Sequence, residues 1–322
     1  MDILSDTLDS LQFTGSIYCK AEFTAPWGLR FDGANGHAGF IFVVRGSCYA
    51  DFDGLGHSLT LTGGDFIMVP KCSGYVFKSG NDAEIVPISQ FPQPGDDEKV
   101  IKFGGGGAMT TAIMGCITFD TMAKNPLVDS LPEYIYVKAE QLQSEPWLEM
   151  TLRLIVSEIS GNKPGSIIAI SRLTDLLFIH TLRFSIGQSK DCPSTIGFLK
   201  AISDPQIGLA LALIHEKPQA PWTVSSLAEA ANLSRSSFAV KFAALTGKTP
   251  LEYVTSWRMN KAQQLLKEGS QNLAKIAVDV GYQSEAAFSK AFRRETGLAP
   301  GSFRRQNDPD YSYLAGATSS SP

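Results

Sequence analysis

Residues 13–120 show short runs in which apolar and polar positions alternate. GFIFVV (39–44), CYADF (48–52), HSLTL (57–61) and DFIMV (65–69) are rich in aromatic and β-branched side chains. Arg45-Gly46, Asp53-Gly54 and Gly63-Gly64 separate them with turn chemistry at hairpin spacing. Residues 85–88 and 111–119 continue the series, and the spacing predicts an antiparallel sandwich or small barrel. QFPQPGDDEKV (90–100) and Gly104–Gly107 read as exposed loops. After residues 135–138 the apolar period lengthens to that of a helix. One helix is predicted over 147–159, ended by Pro164-Gly165, and a second over 167–186. The second is apolar on more than one face, so it needs partners on two sides: the sheet, its neighbour helix, or a second subunit. Residues 187–193 read as a linker, and Asp204-Pro205 opens the next helix with an N-cap and a first-turn proline.

The C-terminal third repeats itself. SRSSFAVKFAALTGKTP from Ser234 and SEAAFSKAFRRETGLAP from Ser284 align at a shift of 50, with identity at Ser234/Ser284, Phe238/Phe288, Phe242/Phe292, Thr246/Thr296, Gly247/Gly297 and Pro250/Pro300. Upstream, Leu227-Ala228 matches Ile276-Ala277 at a shift of 49, so the turn differs by one residue. A period of this size marks a duplicated supersecondary unit. Each unit reads as a helix-turn-helix, over about 226–247 and 273–297. Ser225 or Ser226 is expected to cap the first helix, Asn232 and Gly281 to sit at the turns, and Ser234 and Ser284 to cap the second helices. The paired Phe residues, four apart, share one face and point inward. Between the units, Thr249-Pro250 starts a helix running to Gly269, a stiff spacer that sets the distance between two recognition helices.

Charge follows the same division. The 322 residues carry a net −4, yet residues 208–306 hold 13 basic and 7 acidic side chains against 15 and 23 in residues 1–207. Only the C-terminal segment is able to neutralise phosphates. The N-terminus has three Asp and no Lys or Arg before Lys20, unlike a secretory signal, and no apolar run approaches the roughly 18 residues of a membrane span. The five cysteines (Cys19, Cys48, Cys72, Cys116, Cys192) form no CxxC pair, which excludes a zinc ribbon and points to a reducing, cytoplasmic compartment.

The paired units, the TP-x-x-Y…R-x-x-x-A-x-x-L-L connector and the ending GYQSEAAFSKAFRRETGLAPGSFRR resemble the AraC/XylS family of transcription regulators over about residues 208–306. The N-terminal half is similar to the cupin-type sensor domains of one branch of that family, through PWGLRF (26–31), GHAGFIFVVRGSCYADFDG…LTGGDFIMVP and PEYIYV. The resemblance implies an α+β chain of two domains: a cupin-like antiparallel β-barrel with packed helices, then an all-α domain with two helix-turn-helix units. The expected division is a sensor over 1–138, a helical dimerisation and linker segment over 139–204, a DNA-binding domain over 205–306 and a disordered tail over 307–322. It further implies a homodimer that inserts the second helix of each unit into double-stranded promoter DNA, and that more often activates, through RNA polymerase, than represses.

The residues expected at the DNA are Arg235, Ser236, Ala239, Val240 and Lys241 in the first recognition helix, and Glu285, Ala286, Ser289, Lys290, Arg293 and Arg294 in the second. Ser236, Ala239 and Val240 offer no bidentate hydrogen bond to a base pair, although Ala239 and Val240 suit thymine methyl groups. Arg235, Lys241, Lys290, Arg293 and Arg294 suit phosphates, and Glu285 a cytosine amino group. Trp27, Arg30, His37, Tyr49, Phe66 and Tyr75 are the candidates to line a cavity for a small-molecule effector, and Cys19 with Cys116 for a redox signal. The rival reading is a cupin enzyme, metal-dependent or not, fused to a DNA-binding domain. Metal cupins need three His and a Glu, and this region holds only His37 and His57, with Tyr75 near the place of a further histidine. No catalytic residue, metal or cofactor is therefore assigned. His180 and His215 stand in helical segments without a sequence-local partner.

Overall fold

The computed structural model describes residues 2–11, 13–33, 36–70, 74–91, 100–119, 127, 131–161, 163–188 and 197–306. Cys72, Cys192, the tail 307–322 and most of the 90–100 segment lie outside them. The chain divides into two compact units, Gln12–Thr121 with Leu131–Thr195, and Met1–Leu11 with Met122–Ser130 and Ile196–Pro322.

The first unit carries eleven described strands: β1 (Phe13–Thr24), β2 (Gly28–Phe31), β3 (His37–Arg45), β4 (Ser47–Phe52), β5 (Ser58–Thr62), β6 (Phe66–Val69), β7 (Tyr75–Lys78), β8 (Ile85–Pro87), β9 (Val100–Gly104), β10 (Met109–Phe119) and β11 (Ile135–Val137). They form a six-stranded sheet in the order β11-β6-β3-β10-β1-β9 and a five-stranded sheet in the order β5-β4-β7-β2-β8. The two sheets stay separate and share one core, so the barrel expectation resolves into a sandwich. Nor is the pairing wholly antiparallel: β1 with β9, and β2 with β8, run parallel. Both β8 and β9 are edge strands reached by longer connections, so no tight turn dictates their direction.

The burial pattern explains which runs alternate. In β4, Cys48, Ala50 and Phe52 point inward between exposed or half-buried neighbours, as expected for a strand covered on one face. β10 is buried at nearly every position, because its outer face is covered too. The covering helices are α2 (Ala139–Gln143), α3 (Pro146–Gly161) and α4 (Ser166–Gln188). Phe178 of α4 packs edge-on against Phe13 at 5.0 Å, and Asp175 accepts the Gly15 N–H at 2.6 Å. Glycine at position 15 permits this approach, since a Cβ there would lie 2.4 Å from the Thr174 methyl.

In the second unit, α1 (Ile3–Leu11) buries Ile3, Leu4, Leu8 and Leu11. The expected division places these residues in the sensor, but the apolar stripe is satisfied by the C-terminal helices. Those are α5 (Phe198–Ser203), α6 (Pro205–Glu216), α7 (Val224–Ala230), α8 (Arg235–Thr246), α9 (Pro250–Glu268), α10 (Leu273–Asp279), α11 (Glu285–Thr296) and α12 (Pro300–Gln306). Asp204 caps α6 by accepting the Gln206 and Ile207 N–H groups, each at 3.0 Å. Burial alone would raise its carboxyl, but those amides and Lys241 hold it below the usual carboxylate range. The cap of α7 is Thr223, in a capping box with Ser226, rather than either serine. Thr223 begins the run and its hydroxyl reaches the Ser226 N–H at 3.0 Å.

Candidate nucleic-acid interface

The duplication in sequence becomes a duplication in geometry. Asn232 (φ 52°) and Gly281 (φ 84°) both turn the chain through the left-handed region, which these two residue types tolerate best. Ser234 then caps α8 on the Ser237 N–H, and Ser284 caps α11 on the Ala287 N–H, each at 3.2 Å. Phe238 and Phe242 of α8, and Phe288 and Phe292 of α11, are fully buried. Thr246 and Thr296 close both helices alike, each donating to the Phe carbonyl four residues back at 2.9 Å. Gly247 and Gly297 end them in left-handed caps. With one face of each helix fixed this way, the opposite face is set.

That outer face carries most of the expected DNA contacts. Arg235, Ser236 and Val240 on α8 are exposed, Val240 at 72%, while Ala239 is half-buried. On α11, Glu285, Ala286, Lys290, Arg293 and Arg294 are exposed and Ser289 is half-buried. Among the described residues, Lys290 and Arg293 have no ion-pair partner, and Arg294 approaches Glu295 only at 3.9 Å. Lys241 departs from the expectation. Its Nζ sits 2.7 Å from Asp204 and donates to Gln206 at 2.9 Å, so it joins α8 to the cap of α6 instead of extending toward a phosphate. Its position on the flank of α8, beside an uncharged recognition face, concealed this.

Arg258 is the arginine of the R-x-x-x-A-x-x-L-L connector, and the sequence assigned it no partner. It projects from the spacer α9, donating from Nε to Pro218 O at 2.7 Å and from Nη2 to Ala220 O at 2.8 Å. Its guanidinium also lies over the Tyr282 ring, 5.9 Å from the centroid. Tyr282 follows the turn glycine of the second unit, while residues 218–220 precede the first helix of the first. One side chain thus ties the spacer to both units. Its place in the connector motif marked it in the sequence, but its partners, the carbonyls of Pro218 and Ala220, lie 40 and 38 residues earlier.

His215 has a partner after all. Its Nε2 is 2.8 Å from the Tyr253 hydroxyl and its ring stacks on Trp257 at 3.6 Å. Burial pushes the imidazole pKa down to about 3, so it is a neutral core residue. Asp6 of α1 lies 3.8 Å from its Nδ1.

The six effector candidates do not converge. Trp27 stacks on Phe23 at 4.2 Å and Tyr75 on Phe31 at 4.7 Å, both inside the packed sandwich. Phe66 pairs instead with Phe40. Arg30 forks onto Asp53, donating from Nη1 at 2.8 Å, Tyr49 is exposed, and His37 meets Thr118 at 3.3 Å. Aromatic rings fill the space a ligand was expected to take. Among the described residues, no three His, Cys, Asp or Glu side chains come together in a group that could hold a metal ion. Cys19 faces Met114 and Cys116 faces Ser16 across the β1–β10 ladder. Burial raises the Cys19 thiol to about 12, far from the thiolate that oxidation requires.

A cupin family model matches residues 2–186, and a helix-turn-helix domain model matches residues 227–306. The chain is 33% identical to an AraC-like transcription regulator of Streptomyces lividans, over 95% of this chain and 98% of that one. It is 31% identical to the HTH-type transcriptional regulator AlkR of Acinetobacter baylyi, over 95% and 100%. Among solved structures, it is similar to the DNA-binding domain of AdpA in complex with a target DNA, at 32% identity over 31% of this chain and 90% of that one, with a TM-score of 0.30.

Proposed function

The chain belongs to the AraC-like DNA-binding transcription regulators with a cupin-type N-terminal domain, and from that premise we propose how its own residues do the work. α8 and α11 enter successive major grooves along one face of promoter DNA. The observation that carries this is their matched construction: the same turn, cap, phenylalanine pair and closing threonine, each presenting an exposed outer face. Arg235, Lys290, Arg293 and Arg294 hold phosphates. Glu285 reads a cytosine amino group, and Ser236, Ala239 and Val240 supply short-range and methyl contacts, with Ala286 and Ser289 beside the groove. Since Ser236, Ala239 and Val240 offer no bidentate hydrogen bond to a base pair, shape and phosphate contacts supply much of the affinity.

The protein acts as a homodimer without enzymatic activity, in the cytoplasm, activating transcription through RNA polymerase when the N-terminal domain receives a signal. Among the described residues, no helix is long and apolar enough to cross a membrane. Dimerisation is supported by an uncovered apolar stripe, Trp147, Met150 and Leu154 on α3 with Ile167, Ile168 and Leu176 on α4, each 45–86% exposed. Cys19, Cys48 and Cys116 are all buried, a setting that keeps thiols protonated and inert, so a small molecule is the better signal.

Footprinting of the full chain on its best genomic site tests the reading. Two adjacent protected major grooves on one face are expected. Lys290→Ala and Arg293→Ala should each weaken binding on all sequences and reduce the salt slope by about one. An unchanged salt slope would remove both from the phosphate contacts.

A further inference from the structure

A cavity of about 560 Å³ lies between α3, α2 and the outer face of the six-stranded sheet, a volume within the range of small-molecule sites. Its apolar walls include Phe42 and Val44 of β3, Leu142 of α2 and Val156 of α3, and Glu149 and Arg153 border it. The surrounding frame is fixed. Asp65, 4% exposed, accepts the Thr62 and Ala139 N–H groups at 2.8 and 2.9 Å and the Tyr136 hydroxyl at 2.9 Å. Those bonds fasten the β5–β6 turn, whose Gly63 and Gly64 also border the cavity, to the start of α2.

We infer that this cleft, rather than the sandwich interior, binds the signal molecule, and that the ligand is uncharged, with an apolar body and one hydrogen-bond acceptor. The inference rests on reading the N-terminal domain as the sensor. The chemistry follows from the border. Arg153 donates from both Nε and Nη2 to the same Glu149 oxygen, at 3.0 and 2.7 Å. Its charge is already balanced, so an anion gains little there and must displace or oppose Glu149. The remaining guanidinium N–H groups still serve a neutral acceptor such as a carbonyl. The apolar walls accept an aromatic or aliphatic body.

The helix that closes the cleft has three faces. Leu148, Leu152, Ile155 and Ile159 are buried in the core, Glu149, Arg153, Val156 and Ser157 border the cavity, and Trp147, Met150 and Leu154 form the uncovered stripe. At 3.6 residues per turn these sets lie roughly 120° apart. A ligand therefore presses on the same helix that offers the dimer stripe, without occupying that stripe. Its binding is coupled to dimerisation if monomer and dimer differ in affinity for it.

The probe is prodan, a neutral naphthalene carrying a ketone, titrated into the full chain without DNA so that the outcome is independent of promoter recognition. Saturable binding at one site per chain with a blue-shifted emission is expected. Ser157→Trp, an exposed position that fills the cleft, should lower its affinity about tenfold or more. Arg153→Met should weaken prodan but not the ketone-free analogue 2-dimethylaminonaphthalene. Met150→Ser, on the stripe, should leave prodan affinity unchanged. In the unaltered chain, prodan should slow hydrogen exchange in residues 139–143 and 149–160. Non-saturable uptake, indifference to Ser157→Trp, loss with Met150→Ser, or protection confined elsewhere would each overturn the assignment. The Met150→Ser result separates it from a site at the dimer contact.

Discussion

Replacing Arg258 with alanine removes the side chain that joins both DNA-binding units to the spacer helix. Two hydrogen bonds from a charged donor disappear, at 2.7 and 2.8 Å to Pro218 O and Ala220 O, along with the ring contact to Tyr282. A hydrogen bond to a charged group contributes about 1.5–3 kcal/mol, and a carbonyl left unpaired under cover costs a further 1–3 kcal/mol. The guanidinium is only half-buried, so water recovers part of this, leaving a loss of about 3 kcal/mol. Arg258→Lys keeps one donor nitrogen but not the planar fork, and should lose about half as much. Native-state hydrogen exchange on the full chain reads the effect locally, as faster exchange around residues 217–222 and 281–283. On DNA the expected signature is loss of coupling between the two units. Overall affinity falls about tenfold or more while each groove is still contacted singly. A local loss below about 1 kcal/mol, or footprints of both grooves at unaltered affinity, would refute the view that Arg258 sets their register.

Three other outcomes follow from the same geometry. Lys241→Ala should destabilise the α6–α8 contact by about 1 kcal/mol, since its pair with Asp204 is partly covered, while leaving the salt slope of DNA binding unchanged; a slope reduced by one would return it to the phosphates. Gly39→Ala places a Cβ 2.0 Å from the Tyr75 hydroxyl, costing about 1–3 kcal/mol by overpacking, and Tyr75→Phe in the same chain should recover part of that in denaturant melts. His215 has a folded pKa near 3 against 6.5 for the free group, so the unfolded chain takes up its proton first. Its contribution is complete above about pH 6.5 and is lost at about 1.4 kcal/mol per pH unit as pH falls toward 3. Burial raises the neighbouring Asp6 carboxyl, which acts in the opposite sense. Urea melts between pH 7 and 5 should show a slope that His215→Phe reduces, and an unchanged slope would mean His215 is not held neutral.

The helix-turn-helix pair was legible because its determinants are local. Caps, turn residues and phenylalanines four apart act within one turn of their own backbone, and the duplication displayed each twice. The departures came where a side chain had more than one neighbour to choose. Lys241 looked free on its helix, and only the fold brought Asp204 and Gln206, 37 and 35 residues earlier, to its ammonium group. Trp27 and Tyr75 carried the right chemistry for a ligand, but in a sandwich their rings are the filling. The cavity beneath α3 is bordered by residues from β3, two turn glycines and two helices. No spacing in the chain could announce it.

By itself, the sequence determined a strand-rich first part followed by helices, the duplicated unit, the inward phenylalanines and the basic segment, because periodicity and capping are short-range consequences of backbone geometry and side-chain size. Tertiary structure decided which polar groups are spent on one another and which remain available. It tied Lys241 inward, paired His215 with Tyr253, set Arg258 between two units and left Lys290 and Arg293 without ion-pair partners among the described residues. Those outcomes depend on distances between residues far apart in the chain, and a charge or a hydrogen-bonding group has a function only once its nearest neighbours are fixed.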